Sequence, residues 1–371
     1  MTLPSRRNDV LRAFRLVRSH AAERCLDVRH LRSSSRMKGM NAPKVDELDY
    51  LQFLIAAQKV FSTTEAARIQ AGAPHAPAHD AYTRLLQRIP PDSQALWREV
   101  APFVQRKAGV LVVDDTTLDK PYARRMRLVT RHWSGKHHRV VQGINLISLL
   151  WTQGQERLPV DFRIYDKAHD GLSKNDHFRQ MLQAAYARDF EPELVLFDSW
   201  YASLTNLKQV RGYGWHWLTR LKANRLVSVE GNRRNRPVST WYIPPPGRKM
   251  HLKGYGWVKV FKTVTPDSRE EYWATSRLDM SIAEAAEYAR WAWQIEAYHQ
   301  GLKQFTGIER GQFRMEKAQR NHIGLAIRAF LRLEIFRLQK GVTWFEAKHS
   351  ILRDAIRAYL AHPTITLPAT A

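Results

Sequence analysis

The chain has 371 residues, enough for roughly two or three domains and a sizeable core. Lys and Arg number 59 against 35 Asp and Glu, a formal net charge of +24, which calls for a polyanionic partner: nucleic acid or an acidic membrane surface. The membrane reading is the weaker of the two: no apolar run approaches the roughly 18 to 20 residues that span a bilayer, and no secretion signal is expected at the N-terminus. A single cysteine, Cys25, excludes an internal disulfide framework and a cysteine-based zinc site.

Residues 1–42 hold ten Arg or Lys and three Asp or Glu, and read as a basic N-terminal arm. Residues 43–107 are helical in pattern. "VDELDYLQFLIAAQKVF" places Leu48, Leu51, Leu54 and Ile55 at helix spacing, and "STTEAARIQAG" opens on hydroxyl caps. "HDAYTRLLQRIPP" is a third helix, stopped by prolines. With Arg84 and Arg88 on its surface this segment reads as a helical DNA-binding domain, or else as a helical cap on the core.

The texture changes at "VLVVDDTTLDKP", residues 110–121, where four apolar residues run into two adjacent aspartates. "VVQGINLISLLW" and "LPVDFRIY" follow as strands. "KNDHFRQMLQAAYARD" carries Phe178, Met181, Leu182 and Ala185 on one helical face. "ELVLFDSWYA" is again a buried strand ending in a carboxylate, Asp198, and "WHWLTRL" is another strand. That order predicts an α/β fold with a mixed sheet flanked by helices, its first part over 108–224. Residues 225–278, rich in Gly, Pro, Trp, Tyr and basic side chains, read as a β-rich insertion. Helices resume over 279–335, the last part of the core, and over 336–371, a C-terminal helical region. There Thr343 and Glu346 form a capping box.

Two strands that each end in Asp, at 115 or 114 and at 198, put carboxylates where loops open onto a crevice. Hard cations such as Mg²⁺ take oxygen ligands and keep several waters, so few carboxylates suffice. A third acid would complete a site for two ions. Glu296 is the candidate, at the edge of a helical stripe formed by Tyr288, Trp291, Ile295, Tyr298, Leu302 and Phe305. Lys303 lies two turns further along the same face, suited to grip a phosphate.

"VDDTTL", "LFDSWYAS" and "WQIEAYHQGLKQFTGIE" resemble the three catalytic motifs of insertion-sequence DDE transposases, the cut-and-paste type with a β-rich insertion between the second Asp and the Glu. The resemblance spans roughly residues 108–335. It implies an RNase H-like core, divalent metal (Mg²⁺ or Mn²⁺, two ions), transposon-end and target DNA, and a homodimer that pairs the ends. In that family the first acid immediately precedes a hydroxyl residue. This favours Asp115 as ligand and leaves Asp114 on the opposite face of the strand. Asp115, Asp198 and Glu296 are then the expected catalytic and metal-binding residues, and Lys303, Arg290 and Tyr288 the expected DNA contacts. Counting back from Glu296, the family's spacing falls on Ala292 and Ala289, so Arg290 and Tyr288 stand out of step.

Other features read as structure or surface. "RHWSGKHHR", with His132, His137 and His138, is expected as a basic loop facing phosphate. Asp166, Asp170 and Asp176 are expected on a surface loop. Trp200, Trp215, Trp217, Trp241 and Trp257 lie near the expected cleft or insertion; most are expected in the core, and one or two are suited to stacking on an unpaired base. The expected activity is metal-dependent cleavage of transposon ends and their joining to target DNA, in a soluble cytoplasmic protein that sits on the bacterial nucleoid when bound. The alternatives are a non-catalytic DNA-binding derivative and a plain RNase H-like nuclease.

Overall fold

The computed structural model describes residues 43–363 except 72–75, 135–138 and 167, so the basic arm, His137 and His138 lie outside the described residues. Residues 44–371 form one compact unit.

Among the described residues four short α-helices come first, most of them started by a local polar side chain. Asp46 caps α1 (Glu47–Ala56) in a reciprocal box with Asp49, Ser62 caps α2 (Thr63–Arg68), and Asp92 caps α4 (Ser93–Val100). Between them α3 (His79–Arg88) lacks a side-chain cap and ends just before Pro90.

The sheet is built around β1 (Val110–Asp119), whose first four residues are buried. It is followed by β2 (Thr130–Ser134), β3 (Arg139–Thr152), β4 (Leu158–Tyr165), α5 (Lys174–Tyr186), β5 (Leu194–Phe197), α6 (Leu204–Gly212) and β6 (Trp217–Leu221). β3 runs antiparallel to β1 on one side, with β4 antiparallel beyond it. On the other side β5 and then β6 run parallel to β1. The order β4-β3-β1-β5-β6, three antiparallel strands and then two parallel ones, is that of the expected RNase H-like core.

Five more strands lie within 225–278: β7 (Leu226–Val229), β8 (Asn232–Pro237), β9 (Arg248–Leu252), β10 (Gly256–Val264) and β11 (Glu270–Thr275). They are not a separate layer. β11 pairs antiparallel with β6, so among the described residues the insertion prolongs the core into one eleven-stranded sheet.

The chain closes with α7 (Ile282–Ala292), α8 (Gln294–Phe305), α9 (Glu316–Lys340) and α10 (Trp344–Ala361), the last opened by the Thr343–Glu346 capping box. The stripe from Tyr288 to Phe305 reads in the sequence as one helix. The backbone turns at Trp293, whose N–H bonds to the Arg290 carbonyl and whose ring stands exposed. α9 is buried around much of its circumference, through Ile323, Ala326, Ile327, Phe330 and Leu331. It packs against α1, α3, α4, α8, α10 and β4. Consequently Tyr50, Leu54, Tyr82 and Leu86 of the first helices share one hydrophobic core with the sheet. Residue 107 lies within this compact unit, and residue 335 lies inside α9.

Two loop readings change. "RHWSGKHHR" contributes β2, which pairs with the start of β3; His132 turns inward and Trp133 outward, the two-residue alternation of a strand. Asp166 is buried, not on the surface. Asp170 accepts from the Asp166 backbone N–H and faces His177 Nε2 at 3.0 Å, while Asp176 completes the Ser173 capping box of α5. Carboxylates satisfy the backbone where the chain passes from β4 into α5.

Candidate active site

β5 is only four residues long, and its ladder with β1 ends at the pair Val113–Phe197. Asp114 and Asp198 are the next residues of the two strands. β1 runs on to Asp119 without β5 on that side, while its other side stays paired with β3. Residues level with each other on neighbouring strands point to the same face, and consecutive residues to opposite faces. Asp114 and Asp115 therefore enter different surroundings.

Asp115 is held on three sides. Its Oδ2 accepts from Asn145 Nδ2 and from Lys174 Nζ, each at 2.7 Å, and its Oδ1 accepts from the Tyr201 hydroxyl at 2.8 Å. Burial pushes this carboxyl up, but the Lys174 charge and the three donors outweigh it and hold it below the ordinary aspartate range. The Tyr201 hydroxyl is raised in turn by burial and by the Asp115 charge. Both oxygens of Asp115 are engaged by the protein itself.

Asp114 meets the reverse. Burial, then the negative charges of Asp115, Asp198 and Glu296, push its carboxyl well above the ordinary range, opposed by one backbone N–H, that of Asp115. Its ligating oxygen, one from Glu296 and a ring nitrogen of His299 all lie within 4.8 Å of one another. Asp198 is also raised, by burial and by Asp115, although the Trp200 backbone N–H donates to it at 2.9 Å. Like charges gathered at a crevice favour a bound cation. Of the two neighbouring aspartates, the one grouped with Glu296 is Asp114, whereas the sequence reading preferred Asp115.

α8 runs alongside β1 and keeps the two in step. Glu296 is exposed beside Asp114, while Lys303 Nζ donates to the Thr117 carbonyl at 2.8 Å and pairs with Glu309 at 3.0 Å. Seven helical residues rise about 10.5 Å and three strand residues about 10 Å, so the two contacts match. Lys303, expected at a phosphate, is tied into the protein. Tyr288 is buried and donates to Glu193 at 2.6 Å; Arg290 is exposed on α7. His299, Lys174, Asn145 and Tyr201 were not singled out by sequence. Only His299 carried a legible signal, the Glu-x-x-His spacing that puts both side chains on one helical face.

The donors suit a divalent cation: carboxylate oxygens for a hard ion and a buried imidazole nitrogen with no hydrogen-bonding partner among the described residues. Asp114 within β1, Asp198 just past β5 and Glu296 on a later helix are the arrangement of acids expected of a metal-dependent phosphoryl-transfer nuclease. The model of the DDE superfamily endonucleases matches residues 54–303, and the chain belongs to that family, which implies use of a divalent metal.

One solved structure shares the fold. The cryo-EM structure of the piggyBac transposase synaptic complex with hairpin DNA is similar with a TM-score of 0.53 and 11% identity, covering 93% of this chain and 78% of that one. The crystal structure of the Mos1 strand transfer complex matches with a TM-score of 0.19 and 10% identity, over 58% of this chain and 67% of that one. No curated protein matches. No helix among the described residues is long and apolar enough to cross a membrane.

Proposed function

We propose that this DDE endonuclease is a DNA transposase that cuts the ends of a mobile element and joins them to target DNA. The observation that carries the reading is the grouping of Asp114 with Glu296, with Asp198 at the same level on the neighbouring strand. Supporting it are a close pair of acids far apart in sequence, Asp114 and Glu296, and a net charge of +24.

Asp114, Asp198 and Glu296 would hold the cations, Mg²⁺ or Mn²⁺, with two ions required to serve both the attacking and the leaving oxygen. When bound, such cations lower the pKa of the attacking water or hydroxyl and offset charge on the scissile phosphate. The protein's own task is positioning. Lys174 and Tyr201 clamp Asp115 and so fix the end of β1, and Lys303 locks α8 to the same strand, which sets the separation of Asp114 from Glu296.

Trp200, two residues past Asp198, is 58% exposed, and the ammonium groups of Lys174 and Lys222 each lie 5.9 Å from its ring. An aromatic face between two cations suits an unstacked base and its phosphate. The substrates are double-stranded DNA, element ends and target, with a second copy of the chain pairing the two ends.

The test is a strand-joining assay with an oligonucleotide ending in a free 3′-hydroxyl, a supercoiled plasmid and Mg²⁺ or Mn²⁺. Covalent joining of oligonucleotide to plasmid is expected. Cleavage without joining would leave a plain nuclease, and DNA binding without either would leave a non-catalytic binder.

A further inference from the structure

We infer that His299 is a metal ligand of this site, adding a nitrogen donor to the carboxylates; the inference rests on reading the site as a divalent-metal centre. His299 is 3% exposed, and neither ring nitrogen has a hydrogen-bonding partner among the described residues. One of those nitrogens belongs to the group of ligating atoms within 4.8 Å that includes Asp114 and Glu296.

The protein contains its own control. His322 is as deeply buried, yet its Nδ1 lies 3.0 Å from the Tyr50 hydroxyl and its Nε2 lies 3.2 Å from the Gly307 carbonyl. That is a core histidine with both nitrogens satisfied, as buried polar groups are in nearly all native proteins. His299 departs from the rule beside two converging carboxylates, Asp114 and Glu296. The Glu-x-x-His spacing on α8 turns both groups to one side, the arrangement that helical carboxylate metal centres use.

A nitrogen donor changes which ion is held. Imidazole adds little for Mg²⁺, which prefers oxygen and water, and more for Mn²⁺ and the later first-row cations. His299 therefore biases the site towards Mn²⁺ relative to one built from three carboxylates.

The experiment is electron spin-echo spectroscopy of Mn²⁺ bound to the full-length wild-type protein, with binding isotherms for Mn²⁺ and Mg²⁺ on the wild type, His299→Gln and Glu296→Gln. The expected result is ¹⁴N modulation from an imidazole in the wild type, lost in His299→Gln. Mn²⁺ affinity in that variant should fall about ten-fold or more, with Mg²⁺ affinity much less affected. Mn²⁺ that binds, depends on Glu296 and shows no imidazole modulation would overturn the role of His299 while leaving the metal site standing. Mn²⁺ binding that is indifferent to Glu296→Gln would overturn the site itself and this inference with it. The wild-type spectrum decides the matter even if a variant fails to fold.

Discussion

Asp114 of β1 and Asp198, which follows β5, lie at the same level, because the ladder pairs Val113 with Phe197 and each aspartate is the next residue. β5 ends there while β1 continues along β3, and α8 brings Glu296 to Asp114. Asp115, one residue on, is turned towards Lys174, Asn145 and Tyr201. Adjacent acids thus have opposite electrostatic fates, and substitutions separate them.

Asp114→Asn is expected to abolish strand cleavage while leaving the melting temperature at neutral pH unchanged or higher. The folded-state carboxyl is raised above its unfolded value, so its contribution is present below the ordinary aspartate range and lost as pH rises through the raised value. Asparagine removes that loss. Asp115→Asn has the reverse sign. It leaves the Lys174 ammonium without a counter-charge at a cost of about 3 kcal/mol, the low end for breaking a buried pair because each partner side chain is 19% exposed. Thermal unfolding at pH 7, alongside a plasmid-cleavage assay, reads both. Asp115→Asn inactive and as stable as wild type, with Asp114→Asn active, would return the ligand role to Asp115.

Lys303→Ala tests whether this amine acts inside the protein or on DNA. Its bonds to the Thr117 carbonyl and to Glu309 predict a stability loss of about 1–3 kcal/mol, as for other hydrogen bonds made by a charged group. Turnover should fall because Glu296 loses its register with β1, while affinity for DNA changes little. An unchanged melting temperature with weakened DNA binding would instead make Lys303 a phosphate contact.

Acid should weaken the core at His322. Burial, together with the nearby Lys120 charge, lowers its pKa from 6.5 to about 3. The folded value lies below the unfolded one, so the stability is fully present above 6.5 and is lost as pH falls towards 3, where the unfolded chain takes up a proton that the native state refuses. Melting temperatures measured from pH 7 down to pH 4 should decline, and less steeply in His322→Gln. Parallel curves for the two proteins would show that His322 takes no part.

Divalent metal should stabilise the native protein, since a ligand that binds only the folded state adds about 2.7 kcal/mol at one hundred times its dissociation constant. Differential scanning with Mn²⁺ is expected to raise the transition, EDTA to reverse the rise, and Glu296→Gln to erase it. An equal rise in Glu296→Gln would place the metal elsewhere.

Much of the fold was legible because its signals are local. Apolar runs ending in Asp marked β1 and β5, helical periodicity marked α5, and the Thr343–Glu346 box marked the start of α10. The β-rich insertion was recognisable by composition, but its continuation of the core sheet was not, since the pairing of β11 with β6 joins residues more than fifty positions apart. The first helices read as a separate module because their own apolar stripes are complete. Their burial against α9 depends on a surface some two hundred and seventy positions later, as the contact of Tyr50 with His322 shows.

By itself, the sequence determined that acids would follow two buried apolar runs, that a third would lie on a late helix, and that the chain would be strongly basic. Residue type, periodicity and net charge are properties of the chain before it folds. Which of two adjacent aspartates would face that third acid was decided by tertiary structure alone. Neighbours on a strand point opposite ways, so the choice rests on which face α8 covers and which face receives Lys174.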